Sequence, residues 1–450
     1  MSRDSDVHRG GALRLRAAVQ DVRVARLVVL GIAAIAFLAK AWLAWRTLGQ
    51  DDTYIWWPKF MQAVHDHGPV GVYSVDMVGQ PYNHPPLTGW WLAAIDAVRG
   101  HSNVPLGFWI RIASVVADFF CAWVLFEVLR RRQPLWQATA AGALVAASPV
   151  LYVISGYHGN HDPEIMFLAI LSGFLLVDKR FAALAGVAMA AAVSLKLPIA
   201  PAVPVVFAAA LALGRQVLLR FTAGFAAIIA VLWLPPLVEQ GKPFVNNVLL
   251  YSGNSFPRQW GPVAFAHVLH VPQTLIDLYI SPGRLLLLVV CAAAGAYVAW
   301  RRPDLVVAAI GLTMASFLLL SPGYAPQYMV WPVAAIYALS FWPATAYNLG
   351  AGLFLVLLYT AWSGGLPWNF THTVDLTNRQ EWAAAAIWLV LGWVVVDGAR
   401  KLHRQTGGLA LPWKPAPRAV STSSAGSSRA TVAERQAVVD AEPDPALRTT

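Results

Sequence analysis

The sequence predicts an all-α protein that crosses a membrane about twelve times. Hydrophobic residues make up 58% of the 450 residues, charged residues make up only 12%, and the mean hydropathy is +0.54. About a dozen apolar stretches are each roughly 15 to 22 residues long, near the length at which a helix crosses about 30 Å of hydrocarbon. The strict alternation of apolar and polar residues that a membrane barrel needs is absent, so the spans are expected to be helices.

Twelve apolar stretches are assigned as spans. In order, they are Leu27 to Trp45, Phe108 to Leu129, Trp136 to Ile154, Glu164 to Val177, Phe181 to Leu195, Ile199 to Leu213, Val217 to Leu237, Leu285 to Trp300, Leu305 to Leu320, Tyr328 to Phe341, Leu349 to Trp362 and Ala383 to Val396. Both cysteines, Cys121 and Cys291, fall inside spans, so neither is expected to form a disulfide or hold a metal.

Basic residues predict the orientation, because positive charge stays on the cytoplasmic side of a membrane. Residues 1–26 form an arginine-rich leader, and alternating sides from there places every later basic cluster inside, from Arg130 to Arg132 through to Arg400 and Arg404. Residues 401–450 are polar and rich in Pro, Ser and Thr, which predicts a disordered cytoplasmic tail. The net charge of +10 therefore reflects topology, and no nucleic-acid partner is expected.

This topology gives residues 27–400 as a membrane-spanning domain with both termini in the cytoplasm. Outer loops at about 46–107 and 238–283 would carry interfacial helices, and they hold much of the acidic, histidine and amide chemistry of the chain. A protein whose polar side chains gather on the external face is expected to work on that face. The Ala- and Arg-rich composition, without cysteines placed for disulfides, indicates a bacterial plasma membrane.

Two adjacent carboxylates, Asp51 and Asp52, follow the first span. A carboxylate held at the membrane surface can act as a general base, because a like-charged neighbour and partial burial would raise one pKa of the pair. The alternative is an ordinary solvated pair beside the membrane. The next residues, "TYIWWPKFMQAV", have the apolar spacing of a helix that lies in the interface.

A second polar cluster, "SGYHGNHDPEI", lies between two apolar spans. Its His158, Asn160, His161 and Asp162 are suited to hydrogen bonding with a sugar or a phosphate. Two alternatives stay open: a divalent metal site, although the spacing matches no familiar zinc motif, and capping of the next helix by Asn160 or Asp162. No metal or other cofactor is required by the sequence. In "YNHPPLTGWW", His84 is either a binding residue or an interface residue ahead of a Pro-Pro helix start.

Two cations on the external side are candidates for holding a phosphate. Lys196 lies at the end of an Ala-rich span, on the side where lysine is disfavoured, and Arg258 lies in the long outer loop. A cation there could stabilise a lipid phosphate as a leaving group. The alternative for Lys196 is a lysine that simply extends its ammonium to the membrane surface.

These segments, in this order, resemble membrane glycosyltransferases of the GT-C type, and the chain is similar to the bacterial, mannosyltransferase-like family 87. "GQDDTYIWWPKFMQAVHDHG" looks like the first outer loop of that family, "YNHPPLTGWW" like its Tyr-Pro-Pro segment, "HGNHD" like its Trp-Gly-Gln-x-Asp run and "LKLP" like its Lys-Pro turn. "APQYMVWP", with Gln327 and Tyr328, is similar to a Pro-Gln-Tyr segment at the start of a late helix. His84 replaces a Tyr, and the altered "HGNHD" leaves the sugar open.

The resemblance implies an inverting glycosyltransferase that uses a polyprenyl-phosphate sugar, with mannose as the default and a lipid-linked or polysaccharide acceptor. Asp52, or else Asp51, would be the base, while Lys196, Arg258 and His158 would hold the donor phosphate. His84, Asn160, His161, Asp162, Gln327 and Tyr328 would contact substrate. A secondary transporter or a lipid flippase is the alternative; the spans read as nearly uncharged at mid-depth, which disfavours a transporter, and a flippase needs no base.

Overall fold

A computed structural model describes residues 21–251, 258–259 and 261–407. The chain divides into two units, Met1–Thr406 and Gly407–Thr450, and of the second only Gly407 is described. Most of the expected leader and tail therefore lies outside the described residues. The first helix begins at Val22, inside the expected leader, and the last continues to Thr406, inside the expected tail.

Helices account for almost all regular structure in the described residues. We number the α-helices α1 Val22–Arg46, α2 Trp57–Gly71, α3 Pro86–Arg99, α4 Leu106–Leu129, α5 Leu135–Ala146, α6 Pro149–Val153, α7 Asp162–Val177, α8 Ala182–Leu195, α9 Val203–Leu213, α10 Arg215–Glu239, α11 Gly241–Phe244, α12 Pro262–Val268, α13 Gln273–Leu278, α14 Arg284–Arg301, α15 Val306–Leu320, α16 Val330–Val333, α17 Phe341–Trp362 and α18 Asn378–Thr406. Four π-helical turns (Asp52–Trp56, Ile154–His158, Val245–Leu249, Tyr279–Gly283) and five 3-10 turns (Val72–Ser74, Leu197–Ala202, Pro303–Leu305, Pro326–Met329, Ala335–Ala338) link them.

The described residues contain four strands of two residues each. β1 Gly49–Gln50 pairs in parallel with β4 Phe370–Thr371, so that Gly49 lies opposite Phe370. β2 Arg258–Gln259 pairs antiparallel with β3 Gly323–Tyr324. Each pairing joins segments that are far apart in the sequence, and the first of them brings residues near 371 to the end of α1.

The all-α, polytopic membrane fold is confirmed. Each of the twelve predicted stretches is helical, and eight helical segments in the described part of the chain are long and apolar enough to cross a membrane. The other four stretches are shorter helices: α7, α8, the segment Leu197–Leu213, and the turns and helix between Pro326 and Ala338. Pro201 and Pro332 interrupt the latter two from inside, because proline lacks the N–H that a regular helix needs.

Small residues allow the spans to pack closely. A Cβ at Gly186 of α8 would lie 2.1 Å from the Phe221 carbonyl oxygen, and one at Gly224 of α10 would lie 2.1 Å from that of Ala183. The two helices therefore approach backbone to backbone, as small residues permit in membranes. This contact explains why the span predicted at Phe181 to Leu195 is so rich in alanine.

One ion pair departs from the expectation of nearly uncharged spans. Lys40 of α1 and Asp118 of α4 are both buried, and their Nζ and Oδ2 atoms lie 2.7 Å apart. Removing one partner of a buried ion pair leaves the other charge buried without compensation, so each residue requires the other. The pair fastens α1 to α4 below the segment that carries Asp51 and Asp52.

The segment between α1 and α4 has an apolar core of its own. α2 and α3 pack on each other around buried Trp57, Phe60, Tyr73, Tyr82 and Leu92. Their edges are joined by His65 and Asp96, whose Nδ1 and Oδ2 atoms lie 2.6 Å apart. This core forms an apolar wall beside the polar residues of the candidate site.

Candidate functional site

The two aspartates after α1 point in different directions. Asp51 accepts a 2.8 Å hydrogen bond from the Thr373 amide at Oδ2, and its Oδ1 lies 2.9 Å from Nδ1 of His372. Asp52 opens a π-helical turn and faces His158 and Asn160 instead. The Asp51 side chain thus holds the segment after β4, and only Asp52 is directed toward the other predicted site residues.

Asp52 lies at the edge of a buried polar cluster. Its Oδ2 is 3.0 Å from Nε2 of His158 and accepts a 3.3 Å hydrogen bond from Nδ2 of Asn160, while 31% of the side chain stays exposed. Burial raises its pKa, but the hydrogen bond and attraction of His158 and the charge of Lys196 outweigh burial, so the pKa lies below its ordinary value. The expected rise in pKa does not occur at Asp52, which is ionised at neutral pH.

The "HGNHD" segment forms the floor of the cluster through an unusual backbone. A π-helical turn ends at His158, Gly159 adopts φ +79°, and α7 begins at Asp162 with Pro163 in its first turn. Trp57 donates from Nε1 to the Gly159 carbonyl at 2.9 Å, and Thr53 donates to the carbonyl of His158. The turn therefore fixes His158 and Asn160 against the segment that carries Asp52.

We expect Gly159→Ala to disrupt this floor. The added Cβ would lie 2.2 Å from Oγ1 of Thr53 and 2.9 Å from Cγ of Arg111, at a φ that a side chain strongly disfavours. Activity should fall by about 100-fold or more, because small displacements of a reacting group are costly. Sugar transfer measured beside Gly68→Ala is the check; Gly68 also has positive φ, but its Cβ would meet open space. Equal losses in both variants would contradict the role of the close approach.

Lys196 meets the cluster from the end of α8. Its Nζ donates to Oδ1 of Asn160 at 2.6 Å and to Oδ2 of Asp162 at 2.7 Å. The other oxygen of Asp162 accepts a 2.7 Å hydrogen bond from Nε1 of Trp331. An ammonium has three N–H donors, so one remains after these two bonds. With 14% of its side chain exposed, Lys196 can direct that donor at an anion in the site.

His84 and His161 lie in an aromatic wall next to the cluster. His84 stacks on Trp57 with ring centroids 4.8 Å apart, and His161 meets the edges of Trp57 at 5.1 Å and Trp91 at 4.5 Å. Burial, followed by the charges of His161 and Lys196, lowers the pKa of His84 well below its ordinary value. His84 is therefore neutral at physiological pH, so it contributes hydrogen bonding and stacking.

The two histidines of "HGNHD" face different partners. His158 contacts Asp52 and Tyr359, whereas Nδ1 of His161 lies 3.1 Å from Oε1 of Glu164 and its Nε2 has no partner within the described residues. Across residues 21–251, 258–259 and 261–407, no three His, Cys, Asp or Glu side chains are grouped as a metal site would need. Either alternative for this segment, a metal site or sugar binding, would therefore have to use His158 and His161 separately.

Of the remaining predicted residues, Gln327 and Tyr328 lie beside the cluster, and the side chain of Arg258 is not among the described parts of the structure. Tyr328 stacks on Trp331 at 4.3 Å, within the fields of Asp52 and Asp162, and Gln327 is partly exposed beside it. The backbone of Arg258 pairs with Tyr324, but its side chain is outside what the structure describes. The phosphate-binding role expected of Arg258 therefore rests on the sequence alone.

Arg111 is a supporting residue that the sequence analysis missed. Buried in α4, it donates to the carbonyls of Ala44 and Thr47 at 2.7 Å each, to Oγ1 of Thr47 at 2.8 Å and to the carbonyl of Tyr157 at 3.2 Å. One guanidinium thus ties the end of α1 to the turn before His158. Its presence inside a predicted span was a usable signal, because charged residues within spans are rare.

Three further residues around the cluster carried no such signal. Tyr359 of α17 hydrogen-bonds Nδ1 of His158, and His372 contacts Asp51 from the segment after β4. The Tyr251 side chain hydrogen-bonds that of Asn83 and interacts electrostatically with Asp52. None lies in a recognisable motif, and each reaches the site only through the packing of distant segments.

Comparison with known families identifies the chain. The model of glycosyltransferase family 87 matches residues 82–322, which is more than half of the 450 residues. The chain belongs to glycosyltransferase family 87. It is accordingly a membrane glycosyltransferase, a transferase with several apolar helices. No curated protein matches it.

The family 87 match covers only part of the cluster. It includes His84, Lys196 and the whole "HGNHD" segment, but Asp51 and Asp52 precede it, and Tyr359 and His372 follow it. In this family 87 chain, the turn after α1, helix α17 and the segment after β4 therefore complete a cluster whose centre lies in the matched region.

Proposed function

We propose that this family 87 glycosyltransferase is an inverting enzyme that moves a hexose, by preference mannose, from a polyprenyl-phosphate donor to a lipid-linked or polysaccharide acceptor. The observation that carries the proposal is the juxtaposition of an ionised, partly exposed Asp52 with Lys196 through Asn160. A base and a cation are the two groups that displacement of a phosphate from a sugar requires. An apolar protein that spans the membrane suits a donor with a long lipid tail.

The reaction would run as a single displacement. The acceptor hydroxyl attacks the anomeric carbon, a new C–O bond forms there, and the bond to the phosphate oxygen breaks with its electron pair leaving on polyprenyl phosphate. The hydroxyl proton passes to Oδ1 of Asp52, which has no hydrogen-bond partner among the described residues. Because its pKa is low, Asp52 is a weak base, and it takes the proton late, when the attacking oxygen has become acidic.

The phosphate would be held by the remaining donor of Lys196. Its partners Asn160 and Asp162 orient the ammonium, and Trp331 fixes Asp162 in turn. Charge on the leaving oxygen grows in the transition state, so a fixed cation lowers the barrier. His84 and His161 would bound the sugar with the Trp57 wall, and Gln327 and Tyr328 would lie toward the donor. No step is assigned to a metal.

The site is proposed to face outward from a bacterial plasma membrane. Basic clusters at Arg130 to Arg132 and at Arg400 and Lys401 lie at the opposite helix ends from Asp52, which supports cytoplasmic termini and an external site. Such an enzyme receives a donor made on a lipid carrier and needs no nucleotide. Nucleic acid plays no part in this proposal.

Transfer of labelled sugar tests the proposal. Purified protein in liposomes is given polyprenyl-phospho-[14C]mannose and a bacterial membrane lipid extract, with the glucose, galactose and arabinose donors in parallel. Label moving to a new product, with the anomeric configuration inverted, supports the proposal and names the sugar. If no donor gives transfer while the labelled lipid itself crosses the bilayer, the flippase alternative replaces it. Chelation of divalent metals in a parallel sample reports metal dependence.

We expect Lys196→Gln to lower kcat/KM for the donor by about 10- to 100-fold, because charged hydrogen bonds are worth roughly 1.5–3 kcal/mol. Lys59→Gln is the matched control, since Lys59 lies over the Trp56 ring at 4.7 Å and is exposed. Lys196→Arg keeps the charge and separates loss of charge from loss of packing. A loss in Lys59→Gln as large as that in Lys196→Gln would refute the assignment.

A further inference from the structure

His158 is held at both ring nitrogens. Its Nε2 lies 3.0 Å from Oδ2 of Asp52, and its Nδ1 is hydrogen-bonded to the hydroxyl of Tyr359. The imidazole is almost fully buried, with 3% of its side chain exposed, and Tyr359 is buried in α17. Two fixed partners on a buried ring leave it one orientation.

The protonation of this chain of three groups follows from Asp52. A carboxylate without a proton can only accept, so Nε2 of His158 must carry the hydrogen that lies between them. In the neutral ring, Nδ1 then has a lone pair, and the Tyr359 hydroxyl must donate to it. When the imidazole is neutral, donation therefore runs from Tyr359 to His158 and from His158 to Asp52.

Without the Tyr359 hydroxyl, the lone pair on Nδ1 would be buried with no donor. The ring could escape that cost by rotating, by moving its proton to Nδ1 or by binding a second proton. Rotation or proton transfer would turn a lone pair toward the Asp52 carboxylate, which repels it. Either change would release Asp52 from the position in which Oδ2 is bound and Oδ1 is open to an acceptor.

We propose that Tyr359 is a positioning residue that holds the His158 imidazole with its Nε2–H directed at Asp52. The proposal rests on the proposed function in so far as Asp52 is the base. It assigns a role to a residue outside the region that the family model matches. The segment after β4 holds the neighbouring residue Asp51 through its side chain. Helix α17 and that segment therefore both support the turn that carries Asp52.

A double-mutant cycle tests whether Tyr359 acts through His158. Tyr359→Phe should lower kcat by about 10-fold with little change in donor KM, because the open position of Asp52 matters most in the transition state. In the His158→Gln background, an amide nitrogen can occupy the place of Nε2 and needs no tautomer to donate. There, Tyr359→Phe should change kcat by less than about 3-fold. Equal losses in the two backgrounds would overturn the proposal.

Tyr347→Phe is the matched control. Tyr347 is another buried tyrosine of α17, and it donates to the Met329 carbonyl at 3.0 Å without contacting His158. The substitution Tyr347→Phe removes one buried hydroxyl from the same helix, so its effect on kcat reports the loss of packing alone. We expect kcat within about 2-fold of the unmodified protein. A 10-fold loss here would mean that Tyr359→Phe acts by loosening α17.

A second readout does not need turnover. In protein labelled with 15N-histidine, the His158 resonances are those that disappear in His158→Gln. We expect one pyrrole-type and one pyridine-type nitrogen, with the pyridine-type signal moving in Tyr359→Phe and staying in Tyr347→Phe. An unchanged His158 spectrum in Tyr359→Phe would overturn the proposal. If the spectrum moves as expected but no donor gives transfer, the positioning role stands and the proposed function fails.

Discussion

Asp52→Asn is expected to lower kcat for sugar transfer by about 100-fold or more while the fold is retained. Asparagine has the same size and can still accept the hydrogen bond from His158, but it cannot take a proton from the acceptor. General-base catalysis typically contributes 10²–10⁴-fold, which sets the expected size of the loss. The measurement is the initial rate of labelled-sugar transfer at saturating donor and acceptor, with thermal unfolding recorded on the same samples.

The pH dependence gives this variant a second signature. Asp52 has a pKa below the ordinary value of about 3.9, so it is ionised throughout the neutral range and gains a proton only as the pH falls through that lowered value. Its contribution to activity should therefore be constant from about pH 5 upward and lost only in stronger acid. An acid limb near pH 6 to 7 that disappears in Asp52→Asn would contradict the cause assigned to the shift.

Asp51→Asn is the matched control, since the same change is made one residue earlier. The Asp51 side chain binds the Thr373 amide and faces His372, so its loss should weaken the attachment of that segment and leave the proton acceptor in place. We expect kcat within about 10-fold of the unmodified protein and a lower unfolding temperature. If Asp51→Asn loses more activity than Asp52→Asn, the two assignments must be exchanged.

Arg111→Met is expected to have the largest effect on stability. Methionine fills similar space but leaves the carbonyls of Ala44, Thr47 and Tyr157 without their buried donor. Because hydrogen bonds to a charged group contribute roughly 1.5–3 kcal/mol and several are lost together, the free energy of unfolding should fall by about 3–5 kcal/mol. Chemical unfolding in mixed micelles, followed by tryptophan fluorescence, measures that fall.

Arg111→Lys separates charge from geometry. Lysine keeps the positive charge but lacks the planar fork that reaches the end of α1 and the turn before His158 together. The expected loss is about half that of Arg111→Met. If both variants unfold like the unmodified protein, Arg111 does not tie the two segments together, and the support assigned to the Asp52 turn must come from Thr53 and Trp57 instead.

Much of the fold could be predicted from the sequence, because the bilayer imposes strong rules on composition. Each of the twelve apolar stretches is helical, and the predicted end of the second span at Leu129 coincides with the end of α4. The predicted helix limits differ most from the structure at α18. There the apolar pattern ends near Val396, but the helix continues to Thr406. A helix outside the hydrocarbon needs no apolar side chains, so hydropathy could not detect its last turns.

Parts of the candidate site were also readable. "HGNHD", "LKLP" and the aspartate pair stood out because polar residues interrupt apolar sequence, and the structure brings Asp52, His158, Asn160, Asp162 and Lys196 together. The choice between Asp51 and Asp52 was not readable. It depends on which carboxylate faces His158, and that follows from the β1–β4 pairing between residues about 320 apart in the sequence.

The sequence by itself determined the helical membrane fold, because hydrocarbon demands long apolar segments whose backbone groups are satisfied internally. It also determined which polar segments were available for chemistry. Only the tertiary structure decided the direction of each side chain and its partners: the low pKa of Asp52, the neutral His84, and the supports Arg111 and Tyr359. The physical reason is that charge, burial and hydrogen bonding act over a few ångströms in space, between residues that no sequence spacing relates.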